Sequence, residues 1–277
     1  MLNILVPTDF SPLSKIASSF AVKIACQLDG NITFLHVLTI TEPVRVSMHE
    51  KMKKLEEDMF RLAERDMYKL AKDVTRNLEE SVPTKNLVVR SSRFVETLNK
   101  ESKRLKSGLI VMGTKGATGL KKAVLGSNTT SVIEGSHIPV LVVPDKAKFK
   151  GFHDIVYACD MKDPERELKL LLPYAEKFDS VVHLVHVTSS GKKIEELEEK
   201  MEKILQKLKA KNVATVVLLD DDVEAAIEQY VSVNKASLLA MFTHKLSFIE
   251  RIFDKGMTRK VAFHSSVPLL AFRKKKG

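Results

Sequence analysis

The sequence predicts an α/β fold built twice, as two tandem doubly wound parallel sheets. Short apolar runs that suit buried strands alternate with helical segments along the chain. The pattern of residues 3–9 recurs at 154–160, at an offset of 151 residues. The length of 277 residues allows two domains, each large enough to bury its own core. We therefore expect two Rossmann-like domains, at residues 1–146 and 152–277.

Local signals in the first half predict the separate elements of its sheet. Residues 3–8 form an apolar run typical of a buried strand. Ser11 and Pro12 then predict the N-cap and first turn of a helix that ends at Gly30. Strands joined by helices in this way form a parallel sheet with helices on both faces. Further strands are predicted at 31–38, 86–90 and 108–112, and a further helix at 94–105.

A long helix is predicted after the second strand, because apolar residues recur there at intervals of three and four. We interpret this stripe as part of the core and not as a methionine-rich binding surface. Its members are Met52, Leu55, Met59, Leu62, Leu70 and Val74.

The chain is basic, with a formal net charge of +10, which raises the question of a nucleic-acid partner. Lys and Arg are interleaved with acidic residues along predicted helices, as at 51–57 and 192–211. Aromatic residues are sparse and Trp is absent. We interpret most of this charge as solvated helix surface, which disfavours a nucleic-acid partner. The net positive charge still favours the electrostatic steering of polyanionic ligands.

Membrane and secretory signals are missing from the sequence. No apolar run approaches the roughly 20 residues that span a bilayer, and the N-terminus leads directly into a strand. We expect a cytoplasmic protein without a membrane partner. The two cysteines, Cys26 and Cys159, fall in different halves, which argues against a disulfide framework or a cysteine metal cluster.

The fourth strand and the following helix start form a candidate anion site. Residues 109–112 are an unbroken apolar run, and Gly113 ends it. Gly126 then precedes a new helical segment, with Ser127 or Asn128 placed to cap it. A helix start beside glycines favours a phosphate, because its first amide groups have no partner inside the helix. Lys115, Lys121 and Lys122 add positive charge to the intervening loop.

The same glycines and serine also fit ordinary turn and cap chemistry, so spacing alone leaves both readings open. Two familiar phosphate motifs are excluded. A Walker loop needs Gly-Lys-Ser/Thr after Gly and four residues, and this order does not occur here. A dinucleotide fingerprint needs GxGxxG after the first strand, where residues 6–11 contain no glycine.

Four blocks in this order resemble the universal stress protein family. They are Ile4 to Asp9 at the N-terminus, Leu35-His36-Val37 in the second strand, the pattern Gly113-x2-Gly116-x9-Gly126-Ser127, and Ile138 to Pro144. The resemblance covers residues 1 to about 145.

The resemblance implies ATP as cofactor, with or without magnesium. It implies that the acid at Asp9 lies beside the nucleoside and that the chain near Val37 and Met112 flanks the adenine. An alternative role for Asp9 is to cap the helix that begins near Ser11. The cofactor-binding residues implied are Pro7, Thr8, Asp9, Val37, Met112, Gly113, Gly116, Gly126, Ser127, Asn128 and Thr129.

The second half keeps the strand pattern but lacks the glycines. At an offset of 129, Phe242 aligns with Gly113, and Lys245, Lys255 and Gly256 align with Gly116, Gly126 and Ser127. We interpret it as a degenerate copy, so the chain should bind one ATP, in its first half. Asp160 corresponds to Asp9, which leaves a different small ligand open.

The last strands, Val140 to Val143 and Leu269 to Phe272, are apolar edges that need covering. The two halves are therefore expected to pair as a pseudo-dimer, with a homodimer as a further option. No catalytic residue is predicted, because residues 113–130 contain no Asp or Glu to bind magnesium. His36 and His186 fit hydrogen-bonded structural histidines, and no metal site is predicted.

Three functions follow in order of preference. The first is an ATP-binding stress-response regulator. The second is a slow ATP-hydrolysing enzyme of the same superfamily. The third is a nucleotide-free scaffold or a binder of another ligand.

Overall fold

The chain folds into two compact units. The first ends at Asp145, and the second contains Leu125 and the described residues from Lys146 onward. Each unit contains a five-stranded parallel sheet with helices between the strands. The α/β class and the parallel sheets are as the sequence predicts. The structure, a computed structural model, describes residues 1–39, 49–76, 78, 81–114, 125–243 and 266–273.

The first unit has the strand order β3-β2-β1-β4-β5. Its central strands are buried, with Leu5, Val6, Ile110 and Val111 at 0% exposure. Its strands are β1 (Asn3–Pro7), β2 (Asn31–Leu38), β3 (Thr84–Arg90), β4 (Leu109–Gly113) and β5 (Val140–Val143). Its helices are α1 (Pro12–Gln27), α2 (His49–Thr75), α3 (Phe94–Arg104) and α4 (Ser127–Gly135).

The second unit repeats this topology with the order β8-β7-β6-β9-β10. The registers also agree, because Ile32 lies opposite Thr84 in the first unit and Val182 lies opposite Val213 in the second. Its strands are β6 (Asp154–Ala158), β7 (Val181–Thr188), β8 (Val213–Leu219), β9 (Leu238–Thr243) and β10 (Leu269–Arg273). Among its described residues, the α-helices are α5 (Pro164–Lys177), α6 (Ile194–Leu208) and α7 (Val223–Val233).

α1 begins as its sequence predicts. Ser11 is the N-cap, and its Oγ accepts a hydrogen bond from the Ser14 amide at 3.2 Å. Pro12 occupies the first turn, where a backbone N–H would have no partner inside the helix, so the proline costs no helical hydrogen bond. The helix ends at Gln27, three residues before Gly30.

The predicted apolar stripe of α2 is only partly buried. Leu55, Met59 and Leu62 were expected in the core, but their exposed fractions are 53%, 42% and 47%. The 27-residue helix is about 40 Å long, whereas the eight-residue strand β2 spans about 26 Å. The first half of α2 therefore lacks a sheet to pack on. Leu70 of the predicted stripe is buried as expected, together with Ala63, Met67 and Ala71, which lie outside the stripe. In the part of the chain that is described, no helix is long and apolar enough to cross a membrane.

Candidate functional site

The strand order of the first unit creates a crevice between β1 and β4. From β1 the chain runs to β2 and β3 on one side, then returns to β4 on the other. In open parallel sheets, ligands bind beyond the carboxyl ends of the strands where the order reverses in this way. Thr8 and Asp9 follow β1 at this edge, and Gly113 ends β4 there.

The turn after β1 is fixed by short hydrogen bonds. The Thr8 amide donates to Leu35 O of β2 at 2.9 Å, and the Thr8 hydroxyl accepts from the Phe10 amide at 3.1 Å. Asp9 is exposed, and its Oδ1 accepts from the Ser11 amide at 3.1 Å. Asp9 thus closes a turn just before α1, while Ser11 itself caps the helix. The alternative in which Asp9 serves as the helix cap is wrong.

The end of β2 is tied to the same turn. His36 Nδ1 donates to Thr8 O at 2.8 Å, which fixes the tautomer because a carbonyl can only accept. The Phe10 ring lies 4.6 Å from the His36 ring. Val37, the next residue, is half-buried. His36 is therefore a hydrogen-bonded structural residue that joins β2 to the turn after β1.

Gly113 has a packing role of its own at the end of β4. A Cβ atom added there would lie 3.1 Å from Leu13 O of α1, tighter than ordinary van der Waals contact. Glycine at this position therefore lets α1 approach β4 closely. Met112 precedes it and is buried, as is Pro7 at the end of β1.

α4 starts without a side-chain cap. Its N-cap is Gly126, with φ −65° and ψ 146°, and no side chain bonds to the first turn from this position. Ser127 and Asn128, expected as caps, instead lie inside the first turn and are exposed. The first-turn amide groups, which no helical carbonyl can satisfy, are consequently left to solvent or to a ligand.

Two hydrogen bonds fix this helix start beside the end of β4. Thr129 is 2% exposed, and its Oγ1 donates to Gly113 O at 2.9 Å. The Gly126 amide donates to Thr114 O at 2.7 Å. The Thr129 hydroxyl proton is therefore used inside the protein, and the residue positions the helix start.

The described residues of the predicted site thus form two clusters at one edge of the sheet. Pro7, Thr8, Asp9 and Val37 surround the ends of β1 and β2, and Met112, Gly113, Gly126, Ser127, Asn128 and Thr129 surround the end of β4. The remaining predicted positions lie outside the described residues. They are Gly116, Lys115, Lys121 and Lys122 of the first half, and Lys245, Lys255 and Gly256 of the second.

The second unit reproduces the hydrogen bonds after its first strand. The Cys159 amide donates to Val185 O at 2.9 Å, and His186 Nδ1 donates to Cys159 O at 2.8 Å. Asp160 Oδ1 accepts from the Lys162 amide at 3.0 Å, as Asp9 does from Ser11. These bonds therefore belong to the fold and do not distinguish a ligand site.

Aromatic packing distinguishes the end of β9. Phe242 stands where β4 has Gly113, and its ring stacks on Phe272 with centroids 4.3 Å apart and planes at 10°. The Tyr157 ring meets Phe242 edge-on at 5.7 Å. Three apolar rings therefore pack together at the strand ends of this unit.

One of these rings, Tyr157, makes a buried hydrogen bond that the sequence did not predict. The Tyr157 hydroxyl donates to a carboxylate oxygen of Glu167, and the two residues are 0% and 3% exposed. Burial, chiefly, raises the pKa of Tyr157, so the phenol stays protonated. Burial likewise raises the pKa of Cys159 to about 11, which makes this thiol a poor nucleophile. The available signals were a tyrosine within an apolar strand and a glutamate in the first turn of α5.

Comparison with known proteins identifies the family. The model of the universal stress protein family matches residues 1–144 and again 151–273. Universal stress protein Slr1230 of Synechocystis sp. is 26% identical over 291 residues, covering 99% of this chain and 100% of that protein. Universal stress protein MJ0531 of Methanocaldococcus jannaschii is 32% identical over 150 residues, covering 53% of this chain and 84% of that protein.

A solved structure gives the same fold over the full length. The universal stress protein from Archaeoglobus fulgidus DSM 4304 covers 99% of this chain and 98% of its own, with a TM-score of 0.65 at 20% identity. Because the family model matches both halves, the chain belongs to the universal stress protein family and carries two family domains in tandem.

Proposed function

We propose that the protein is a cytoplasmic stress-response regulator whose first unit binds ATP. The observation that carries this proposal is the start of α4, which has glycine at its N-cap and no side-chain cap. It lies beside the end of β4 because Thr129 bonds to Gly113 O. The first-turn amides of α4 thereby adjoin the crevice between β1 and β4.

A phosphate group suits this helix start for two physical reasons. The unpaired amides donate hydrogen bonds to its oxygens, and the helix dipole contributes roughly 0.3 to 1 kcal/mol. Ser127 and Asn128 are exposed and can approach a ligand. Micromolar binding needs about 8 kcal/mol, so the phosphates alone are insufficient. The nucleoside contacts implied for Asp9, Val37 and Met112 supply the remainder.

The second unit serves in this proposal as a partner and not as a second ATP site. Phe242 and its aromatic neighbours fill the strand ends where the first unit has glycine. The two family domains are proposed to pair through the apolar strands predicted to need covering, which explains why both are retained in one chain. Binding without turnover is favoured because residues 113–130 contain no carboxylate to hold magnesium.

Calorimetric titration with ATP at moderate salt tests the proposal. We expect saturation at one equivalent, and we expect Gly126→Val to lose binding by more than about 100-fold because its side chain enters the phosphate site. The fold should survive, since φ −65° and ψ 146° are open to valine. Gly191→Val is the matched control, because Gly191 is an exposed glycine of the second unit whose added Cβ meets only Leu219 at 3.9 Å.

Four results would contradict the proposal: no ATP binding, saturation at two equivalents, unchanged affinity in folded Gly126→Val, or steady phosphate release in excess of protein. The last would favour the ATP-hydrolysing alternative. Absence of any ATP binding would favour the scaffold.

A further inference from the structure

The second unit has an open edge at β8. Among the strands that the structure describes, β8 pairs with β7 alone. Its last residue, Leu219, is 58% exposed. From this edge we propose that β8 pairs antiparallel with β8 of a second copy of this chain, which joins two molecules about a twofold axis.

The backbone of β8 has groups directed to this edge. Asn212 O accepts from the Val182 amide at 2.8 Å, and the Asp220 amide donates to Thr188 O at 3.0 Å. Backbone groups of a strand alternate between its two sides, so the even-numbered residues of β8 face β7. The N–H and C=O groups of the odd-numbered residues therefore face outward. They belong to Val213, Thr215, Val217 and Leu219.

The composition of β8 lacks the features that protect an edge. Its sequence VATVVLL is apolar apart from one threonine and carries no charge. The corresponding edge strand of the first unit, β3, has the sequence TKNLVVR and follows Pro83. Lys85 and Arg90 stand at the positions that Ala214 and Leu219 occupy in β8, 129 residues later. Charge and proline are common protections against edge pairing, and only β3 has them.

Full overlap of the two strands selects one register for a twofold pair, and the flanking charges favour its antiparallel direction. When Val216 lies opposite Val216 of the second copy, the two strands overlap along their whole length. Val213 then lies opposite Leu219 of the second copy, which covers its exposed side chain. Asn212 has φ 56°, so the extended strand does not continue to Lys211. The basic flank before β8, with Lys209 and Lys211, nevertheless lies at the same end of the pair as the acidic flank of the second copy, Asp220 to Asp222, and the symmetry repeats this arrangement. Lys211 and Asp221 are exposed, so opposite charges meet at each end of the pair.

The outward backbone groups match in this register. Val213 opposite Leu219 and Thr215 opposite Val217 are pairs of odd-numbered residues, so each can exchange two N–H to C=O hydrogen bonds. The backbone groups of Val216 bond to β7 of their own chain. Val216 and Val216 of the second copy therefore form a pair without hydrogen bonds between them. Backbone hydrogen bonding, apolar overlap and charge therefore agree on a second copy of this chain as the occupant.

Sedimentation velocity of the intact chain without nucleotide tests the proposal. We expect dimers at about 100 µM chain. The double variant Ala214→Lys, Leu219→Arg gives β8 the charges of β3 and should weaken the dimer by at least about tenfold. Both residues are exposed, so the fold should be kept. Val233→Arg is the control, because Val233 is 71% exposed on α7 and should leave the dimer unchanged.

A charge reversal tests the contribution of the flanking charges separately. Lys211→Asp should weaken the dimer several-fold, and adding Asp221→Lys in the same chain should restore it. A chain that stays monomeric at about 100 µM would overturn the proposal. The proposal would also be overturned if the β8 double variant left the dimer unchanged. It would be overturned equally if adding Asp221→Lys to Lys211→Asp did not restore the dimer.

Discussion

In the first unit β4 ends on Gly113, whereas in the second unit β9 carries Phe242 at the corresponding position. The surrounding backbone is alike, because His36 and His186 each donate to the carbonyl of the residue that follows the first strand. The hydrogen-bonded frame has thus been kept while the side chains at the strand ends have changed. Side-chain size at one strand end, and not the fold, separates a candidate phosphate site from a cluster of aromatic rings.

The replacement extends into the sheet below. Tyr157 and Cys159 of the second unit stand where the first unit has Val6 and Thr8, at the offset of 151. Tyr157 brings a hydroxyl that the buried Glu167 carboxylate accepts. The second unit therefore contains buried ionisable groups at positions where the first unit has none.

The largest effect is expected from removing the aromatic filling. Phe242→Ala should lower the free energy of unfolding by about 2 to 3 kcal/mol, because it deletes a half-buried ring that packs between Tyr157 and Phe272. Urea denaturation followed by circular dichroism measures this change. Phe242→Leu keeps most of the volume and should cost less.

ATP titration of Phe242→Ala sharpens the comparison. We expect it still to saturate at one equivalent, because removing one ring does not create the glycines that the second half lacks. A second equivalent would mean that Phe242 alone blocks a nucleotide site. A loss below about 1 kcal/mol would mean that the rings do not form a packed core.

A smaller effect should appear at alkaline pH and arise in the second unit. Burial raises the pKa of Tyr157 above its ordinary 10.0 and that of Cys159 from 9.0 to about 11. The folded state therefore holds both protons more tightly than the unfolded state. This contribution is complete below pH 9 and is lost progressively as the pH rises above 9 and then above 10.

Urea midpoints measured from pH 8 to pH 11 test this prediction. The wild type should lose stability over that range, and the variant Tyr157→Phe, Cys159→Thr should lose less, because neither new side chain ionises. At neutral pH the same variant should be about 2 kcal/mol less stable, since the Glu167 carboxylate loses a donor. Equal alkaline losses in both proteins would place the sensitive groups elsewhere.

The strands were predictable because a buried parallel strand is a short, continuous apolar run. Leu109 to Met112 shows this, and the structure ends β4 one residue later. Helical periodicity was less informative, because it identifies an apolar face but not whether a partner exists along its length. Leu55 and Leu62 continue the spacing of Leu70, yet only Leu70 is buried. The difference lies in the length of α2 relative to the sheet.

Within the site, the sequence identified the glycines but not the different structural roles of Gly113 and Gly126. Gly113 admits the Leu13 carbonyl of α1, a contact between residues 100 positions apart (113 minus 13) that spacing cannot reveal. The predicted N-cap, Ser127 or Asn128, lies one or two residues after the observed N-cap Gly126, because Ser and Asn are better capping types than Gly. The pairing of Tyr157 with Glu167 depends on how α5 packs on β6, which local patterns do not encode.

The smallest predicted effect concerns the residue that joins the helix start to the strand end. Thr129→Val keeps the shape of the side chain but removes the donor to Gly113 O, leaving a buried carbonyl with one partner fewer. The expected loss is about 1 kcal/mol in the free energy of unfolding. Because α4 would lose one of the two hydrogen bonds that fix its start at the end of β4, ATP affinity should also fall, by roughly fivefold for the same energy.

Thr129→Ser is the matched control, since it keeps the hydroxyl and should retain most of the affinity. The second unit supplies a further control. Cys159→Ser changes a strand end of the unit that is proposed not to bind ATP, so it should leave the ATP affinity unchanged. If Thr129→Val loses stability but binds ATP normally, the bond to Gly113 O serves folding alone. The start of α4 would then not need this anchor to bind phosphate, and Thr129 would not position it for ATP.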